Sequence, residues 1–209
     1  MSKDIYQVPA LEADTCHRSE IIIKKSRFIT SIGHTKSTDE AKAFIEKISS
    51  EFSDARHNCF AFNATAPGST AYCGCSDDGE PKGTAGQPML TVVLHCGVGE
   101  LTAVVTRYFG GILLGTGGLV KAYQDSVKEA LATLPTQERM IPDELTLIFD
   151  MRYIDKFLHM SKNYRLSIIN TVYTDKVLFD VILPKSQSED LIKNIKELTR
   201  GDFVVSKKS

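Results

Sequence analysis

Five of the fourteen glycines in this 209-residue chain fall within residues 110–118, in the run Gly110-Gly111-Ile112-Leu113-Leu114-Gly115-Thr116-Gly117-Gly118. The most β-prone stretch of the sequence, 100–109 (ELTAVVTRYF), precedes it. Val120, Tyr123, Val127 and Leu131 follow at helical spacing until Pro135 stops the pattern. The spacing predicts a strand, a sharp glycine-rich crossing, and a helix over 117–133. Glycine permits positive φ and close backbone approach, so such a crossing serves one of two ends. It lets helix and sheet backbones touch, or it lets several N–H groups converge on an anion at the positive end of the helix. Gly110, Gly111, Gly115, Thr116, Gly117 and Gly118, with Lys121 one turn later, are the candidates for the second role. The run is not a Walker loop, because Thr116 stands where Lys is required, nor a dinucleotide fingerprint, because Val120 stands where the third glycine belongs.

The rest of the chain reads as α+β in two domains, 1–138 and 139–209. Residues 20–24 (EIIIK) and 27–32 (RFITSI) are short β-rich runs. Ser37-Thr38-Asp39-Glu40 fits a capping box and opens a helix over 38–51. Residues 58–65 alternate as a strand, 66–87 form a long loop rich in glycine and proline, and Pro88 opens a helix that Gly97 ends. A linker over 135–143 leads to strand 144–149, helix 152–163, strand 166–173, strand 177–183, helix 187–198 and strand 202–206. That order, β-α-β-β-α-β, is the ferredoxin-like pattern.

Charge narrows the function classes. The formal net charge is −1, with fourteen Lys and Arg against sixteen Asp and Glu in the first 139 residues, so neither half announces a strongly basic nucleic-acid binder. No apolar stretch approaches the roughly 20 residues of a membrane span, so no membrane partner is expected. The opening residues, MSKDIYQVPALEAD, show no secretory leader. Five cysteines, an odd number, suit a reducing cytoplasm better than a disulfide framework. Cys73 and Cys75 form C-x-C without the C-x-x-C pairs of a zinc site, so neither metal nor cofactor is expected.

Two further segments carry candidate chemistry. Asp54-Ala55-Arg56-His57 lies between a helix and a strand, and supplies Arg56 as an anion ligand and His57 as an acid or base. The loop 76–86 holds Asp77, Asp78 and Glu80, with Lys82 and Thr84 beside them. Three carboxylates so close can hold Mg²⁺, bond the local backbone, or pair with Arg56 or Arg107. Arg107 and Tyr108 close the predicted strand; Arg107 can clamp an anion bidentately or anchor the acidic loop. No serine has a G-x-S-x-G context, and no catalytic residue is assigned.

Four stretches together resemble the IMPACT family, in its bacterial YigZ-like branch: KKSRFI (24–29), DARHNC (54–59), SDDGEPKGTAGQPML (76–90) and GVGELTAVVTRYFGGILLGTGGLVKAY (97–123). The resemblance implies an N-terminal domain like the second domain of ribosomal protein S5. It implies a C-terminal domain like a ferredoxin-like domain of elongation factor G. It further implies a non-enzymatic cytoplasmic module linked to translation, with the ribosome, RNA or a translation-related protein as partner and a phosphate-type anion as the bound group. The alternative is a small-molecule kinase that cradles phosphates on 110–118. The kinase loop carries a serine pair after its glycines, and here Gly118-Leu119 stands instead.

Overall fold

The computed structural model describes residues 4–12 and 14–207. Two compact units divide the chain. The first covers Tyr6–Glu138; the second takes in 139–207 and groups Asp4 and Ile5 with it.

In the first unit a five-stranded antiparallel sheet is built from β2 (His17–Ile23), β3 (Ser26–His34), β4 (His57–Asn63), β5 (Cys73–Ser76) and β6 (Leu101–Tyr108), in the order β2-β3-β6-β4-β5. Helices α2 (Gly86–His95) and α3 (Thr116–Ala132) cover one face, and α1 (Thr38–Glu51) packs against the other. This double cover explains why β6 reads as a continuous buried run rather than an alternating one. Its core-facing positions are Leu101, Ala103 and Val105, which join Phe28, Ile32, Cys59, Met89, Tyr123 and Val127 in the main core. The next position on that face is Arg107, so a cation ends a row of apolar side chains.

Local signals explain most boundaries. Ser37 Oγ accepts from Glu40 N–H at 3.1 Å, while the Glu40 carboxylate reaches back to Lys36 N–H at 2.8 Å, one residue earlier than a standard capping box. Helix α3 begins at Thr116 after Gly115, whose φ of 75° suits glycine.

In the second unit β8 (Pro142–Phe149), α4 (Ile154–Ser161), β9 (Ser167–Tyr173), β10 (Val177–Pro184), α5 (Lys185–Thr199) and β11 (Phe203–Lys207) follow in the order β-α-β-β-α-β. The sheet is antiparallel, ordered β11-β8-β10-β9. Leu145, Leu147, Phe149, Phe157, Phe179, Leu191 and Ile195 form its core.

Three expectations are corrected. The stretch 66–87 is not one long loop: it contains β5, and α2 starts at Gly86, ahead of Pro88. Residues 135–143 are not a linker. Thr136–Met140 is strand β7, which pairs with β1 (Ile5–Pro9), and β8 already begins at Pro142. Strand β7 is exposed along nearly its whole length, so it lacks the apolar alternation that marks a half-buried strand. Finally, the helix expected over 152–163 is split into a 3-10 turn, Met151–Tyr153, and the shorter α4, because Asp150 caps that turn by accepting from Arg152 N–H at 2.9 Å.

Candidate functional site

Strand register brings the candidate segments to one end of the five-stranded sheet. Arg107 on β6 stands between Phe28 on β3 and His57 on β4. Directly opposed residues share a sheet face, so His57 and Arg107 are neighbours although fifty positions apart in sequence. A cavity of about 330 Å³ opens there, lined by Arg56, His57, Gly79, Glu80, Pro81, Arg107, Phe109 and Leu113. All three candidate segments contribute to it.

The floor is a buried polar network. Arg107 donates from Nη1 to Glu80 Oε1 at 2.6 Å, with side-chain exposures of 8% and 3%, so this ion pair is out of water. The Tyr123 hydroxyl, from α3, donates to the same oxygen at 2.8 Å. The Arg107 guanidinium is sandwiched between the Phe28 and Phe109 rings, at 5.6 and 5.7 Å from their centroids. Its Nε is buried and has no hydrogen-bond partner among the described residues. The Cys59 thiol donates to the Asp77 carbonyl at 2.9 Å, and its sulfur lies 3.3 Å from the Tyr123 hydroxyl. Burial is the main cause that pushes this thiol up to about 12, and burial likewise pushes the Tyr123 phenol well above its ordinary range.

The acidic loop is engaged by its own chain. Asp77 accepts from Gly83 N–H (2.7 Å), Gly86 N–H (2.8 Å) and Ala85 N–H (3.0 Å), which caps the start of α2 from nine residues away. Burial alone would raise the Asp77 pKa, but the three amides outweigh it and hold the carboxyl below its ordinary range. Asp78 has a φ of 41° and accepts from Asn58 N–H at 2.6 Å. Its carbonyl accepts from His57 Nδ1 at 2.7 Å. A carbonyl only accepts, so Nδ1 is the donor, and Nε2 has no hydrogen-bond partner among the described residues. Thr84 donates to the Pro81 carbonyl at 2.6 Å. Tyr108 donates to Asp54 at 2.7 Å and lies under Arg27, outside the cavity lining.

Arg56 is exposed and makes no ion pair or hydrogen bond among the described residues. Lys82 is exposed beside the cavity without lining it. The glycine run divides in two. Gly110 is a packing residue: a Cβ there would stand 2.0 Å from the Lys25 carbonyl carbon. Gly111, Gly115, Thr116 and Gly117 are exposed, and with Gly118 and Lys121 they do not line the cavity. Phe109 and Leu113 do line it, and they, with Gly79 and Pro81, lie outside the set read from sequence. Their signal was an apolar cluster inside a glycine run. Phe109 is 49% and Leu113 81% exposed, so both present apolar surface at the cavity mouth.

A larger cavity, about 440 Å³, lies elsewhere, lined by residues that include His34, Lys36, Glu40, Phe44 and Lys47. None of the candidate residues line it; at its rim Lys47 Nζ donates to the Asp14 carbonyl at 2.6 Å. Among the described residues no group of three or more His, Cys, Asp and Glu is placed to hold a metal ion. No helix there is long and apolar enough to cross a membrane.

Comparison with known proteins gives two domain matches: an Impact N-terminal domain over residues 24–131 and a domain of unknown function, DUF1949, over 154–202. The chain is 46% identical to IMPACT family member YigZ of Escherichia coli (strain K12), covering 87% of this chain and 89% of that protein. It is 36% identical to IMPACT family member YvyE of Bacillus subtilis (strain 168), covering 87% and 83%. A crystal structure of a hypothetical protein matches with a TM-score of 0.65 at 41% identity, covering 99% of this chain and 98% of that one.

Proposed function

The chain belongs to the IMPACT family, and on that premise we propose that it is a non-enzymatic binding module linked to translation, acting on the ribosome or its RNA. In this reading the N-terminal unit is S5 domain 2-like and offers its cavity to a phosphate-bearing partner. The second unit is ferredoxin-like. Its βαββαβ order and its sheet order β11-β8-β10-β9 support that assignment.

One observation carries the reading. Residues 56–57 and 79–81 meet Arg107, Phe109 and Leu113 in one concavity whose lining carboxylate, Glu80, already has partners, while Arg56 and His57 Nε2 remain open to a ligand. A guanidinium, an imidazole and an apolar lip are suited to an anion carrying an organic group. The kinase alternative is not favoured. It needs Asp77, Asp78 or Glu80 for Mg²⁺, and these bond amides, Arg107 and Tyr123; it needs residues 115–118 in the cavity, and they lie outside its lining.

Co-sedimentation with ribosomes at low and high salt tests the proposal. The protein should pellet with ribosomes at low salt and be released at high salt. Absence from the pellet at both salts overturns it.

A further inference from the structure

Lys24 and Lys25 form the whole of the loop between β2 and β3, because Ile23 pairs with Ser26. Both have positive φ, 47° and 65°. A two-residue hairpin with positive φ at both positions is the mirror-image turn that matches strand twist, and Asn-Gly is the sequence that forms it without strain. Each lysine here holds a backbone conformation that its Cβ disfavours. Both side chains are exposed, and neither has a partner among the described residues.

The turn is joined to the cavity. Gly110 sits backbone to backbone on Lys25, and Gly110 N–H donates to Ser26 Oγ at 3.1 Å. The loop that carries Phe109 and Leu113 to the cavity therefore rests on the lysine pair. Folding does not call for lysine at either position, and strain of this kind persists where the side chains are used.

We propose that the Lys24–Lys25 turn is a second anion contact of the same site, gripping the phosphate backbone of a single-stranded RNA whose bases lie against Phe109 and Leu113. This deepens the binding reading above and rests on it. Ammonium groups are compact point charges, suited to phosphates that repeat along a strand. The exposed apolar side chains beside them offer surfaces to unpaired bases, which a duplex keeps stacked inside.

The full chain carrying Lys24→Asn and Lys25→Gly tests this, with a fluorescent oligouridylate as probe and Lys24→Arg with Lys25→Arg as the charge-retaining control. The Asn-Gly variant should melt above the wild type, because the turn is relaxed. It should bind the probe roughly fivefold or more weakly at low salt, with the slope of log affinity against log salt reduced by about 1.4 for two lost phosphate contacts. The Arg-Arg control should keep wild-type affinity. An Asn-Gly variant that binds with wild-type affinity and slope overturns the inference while leaving the binding reading intact. One that melts below the wild type removes the strain argument and overturns it as well. A wild type that ignores the probe overturns the RNA assignment, and ribosome co-sedimentation then decides the broader reading separately.

Discussion

Replacing Glu80 by Ala removes the anion beneath the cavity and leaves Arg107 buried without compensation. The pair is 2.6 Å apart and its side chains are 8% and 3% exposed, so little water can enter to screen the orphaned charge. Breaking a buried ion pair at one end costs about 3–5 kcal/mol. The Tyr123 hydroxyl also loses its acceptor, about 1–3 kcal/mol for a buried polar group, but the two losses share one oxygen and do not add in full. A net loss of about 4 kcal/mol is expected, a large part of a typical stability of about 5–15 kcal/mol. The chain has no tryptophan, so urea unfolding is followed by far-UV circular dichroism. With a slope of about 2 kcal/mol per molar, the midpoint should fall by about 2 M. Adding Arg107→Met removes the stranded charge and keeps an apolar side chain between Phe28 and Phe109, so the double variant should recover more than half of the loss. A single variant that loses less than about 1 kcal/mol, or a double variant no more stable than the single one, would show that the ion pair is solvated and that the argument for a dry cavity floor is wrong.

Asp77→Asn should flatten the acid limb of stability. The Asp77 carboxyl titrates below its ordinary value, so its contribution is complete above about pH 4 and is lost as pH falls through the folded-state pKa; acid titrations of both proteins that superimpose below pH 4 would contradict this. Gly117→Ala meets nothing within 4 Å in the first turn of α3 and should raise the melting temperature, by up to about 1 kcal/mol of stability. Gly110→Ala should lower it sharply, since its Cβ would collide with the Lys25 backbone; equal melting points for the two alanine variants would count against the packing described. Cys59, buried and pushed up to about 12, should resist alkylation at pH 8 in the native protein and react after unfolding, as read by peptide mass spectrometry.

The sequence was informative wherever the cause of structure was local. The Ser37 cap and the apolar spacing behind it mark α1 within a single turn, and β6 announces itself because both of its faces are buried. Most of the second unit was legible for a related reason: β8, β10, α4 and α5 each turn one apolar face into its core, whereas β9, exposed along nearly its whole length, was legible only from its β-prone residues. Strands β1 and β7 were not legible, because β7 exposes nearly every side chain and so carries no apolar alternation to mark the pair. At the site, sequence picks out Arg56, His57, Glu80 and Arg107 by residue type; register sets His57 beside Arg107, and the loop after β5 brings Glu80 to them. It does not reveal that Asp77 caps α2, because that contact spans a bend in the chain rather than the spacing of a standard N-cap. Nor does it reveal the Lys24–Lys25 turn, since two β-rich runs two residues apart suggest a hairpin only when the residues between them are turn formers.

Amide-resolved NMR titration of the full chain with inorganic phosphate and then with a short single-stranded RNA reaches the central claim most directly. Shifts confined to Arg56, His57, Gly79, Phe109 and Leu113, joined by Lys24 and Lys25 once the RNA is added, are what the cavity predicts. Shifts centred on the amides of 115–118 at the start of α3, with the cavity silent, would contradict it and move the anion site to the helix end.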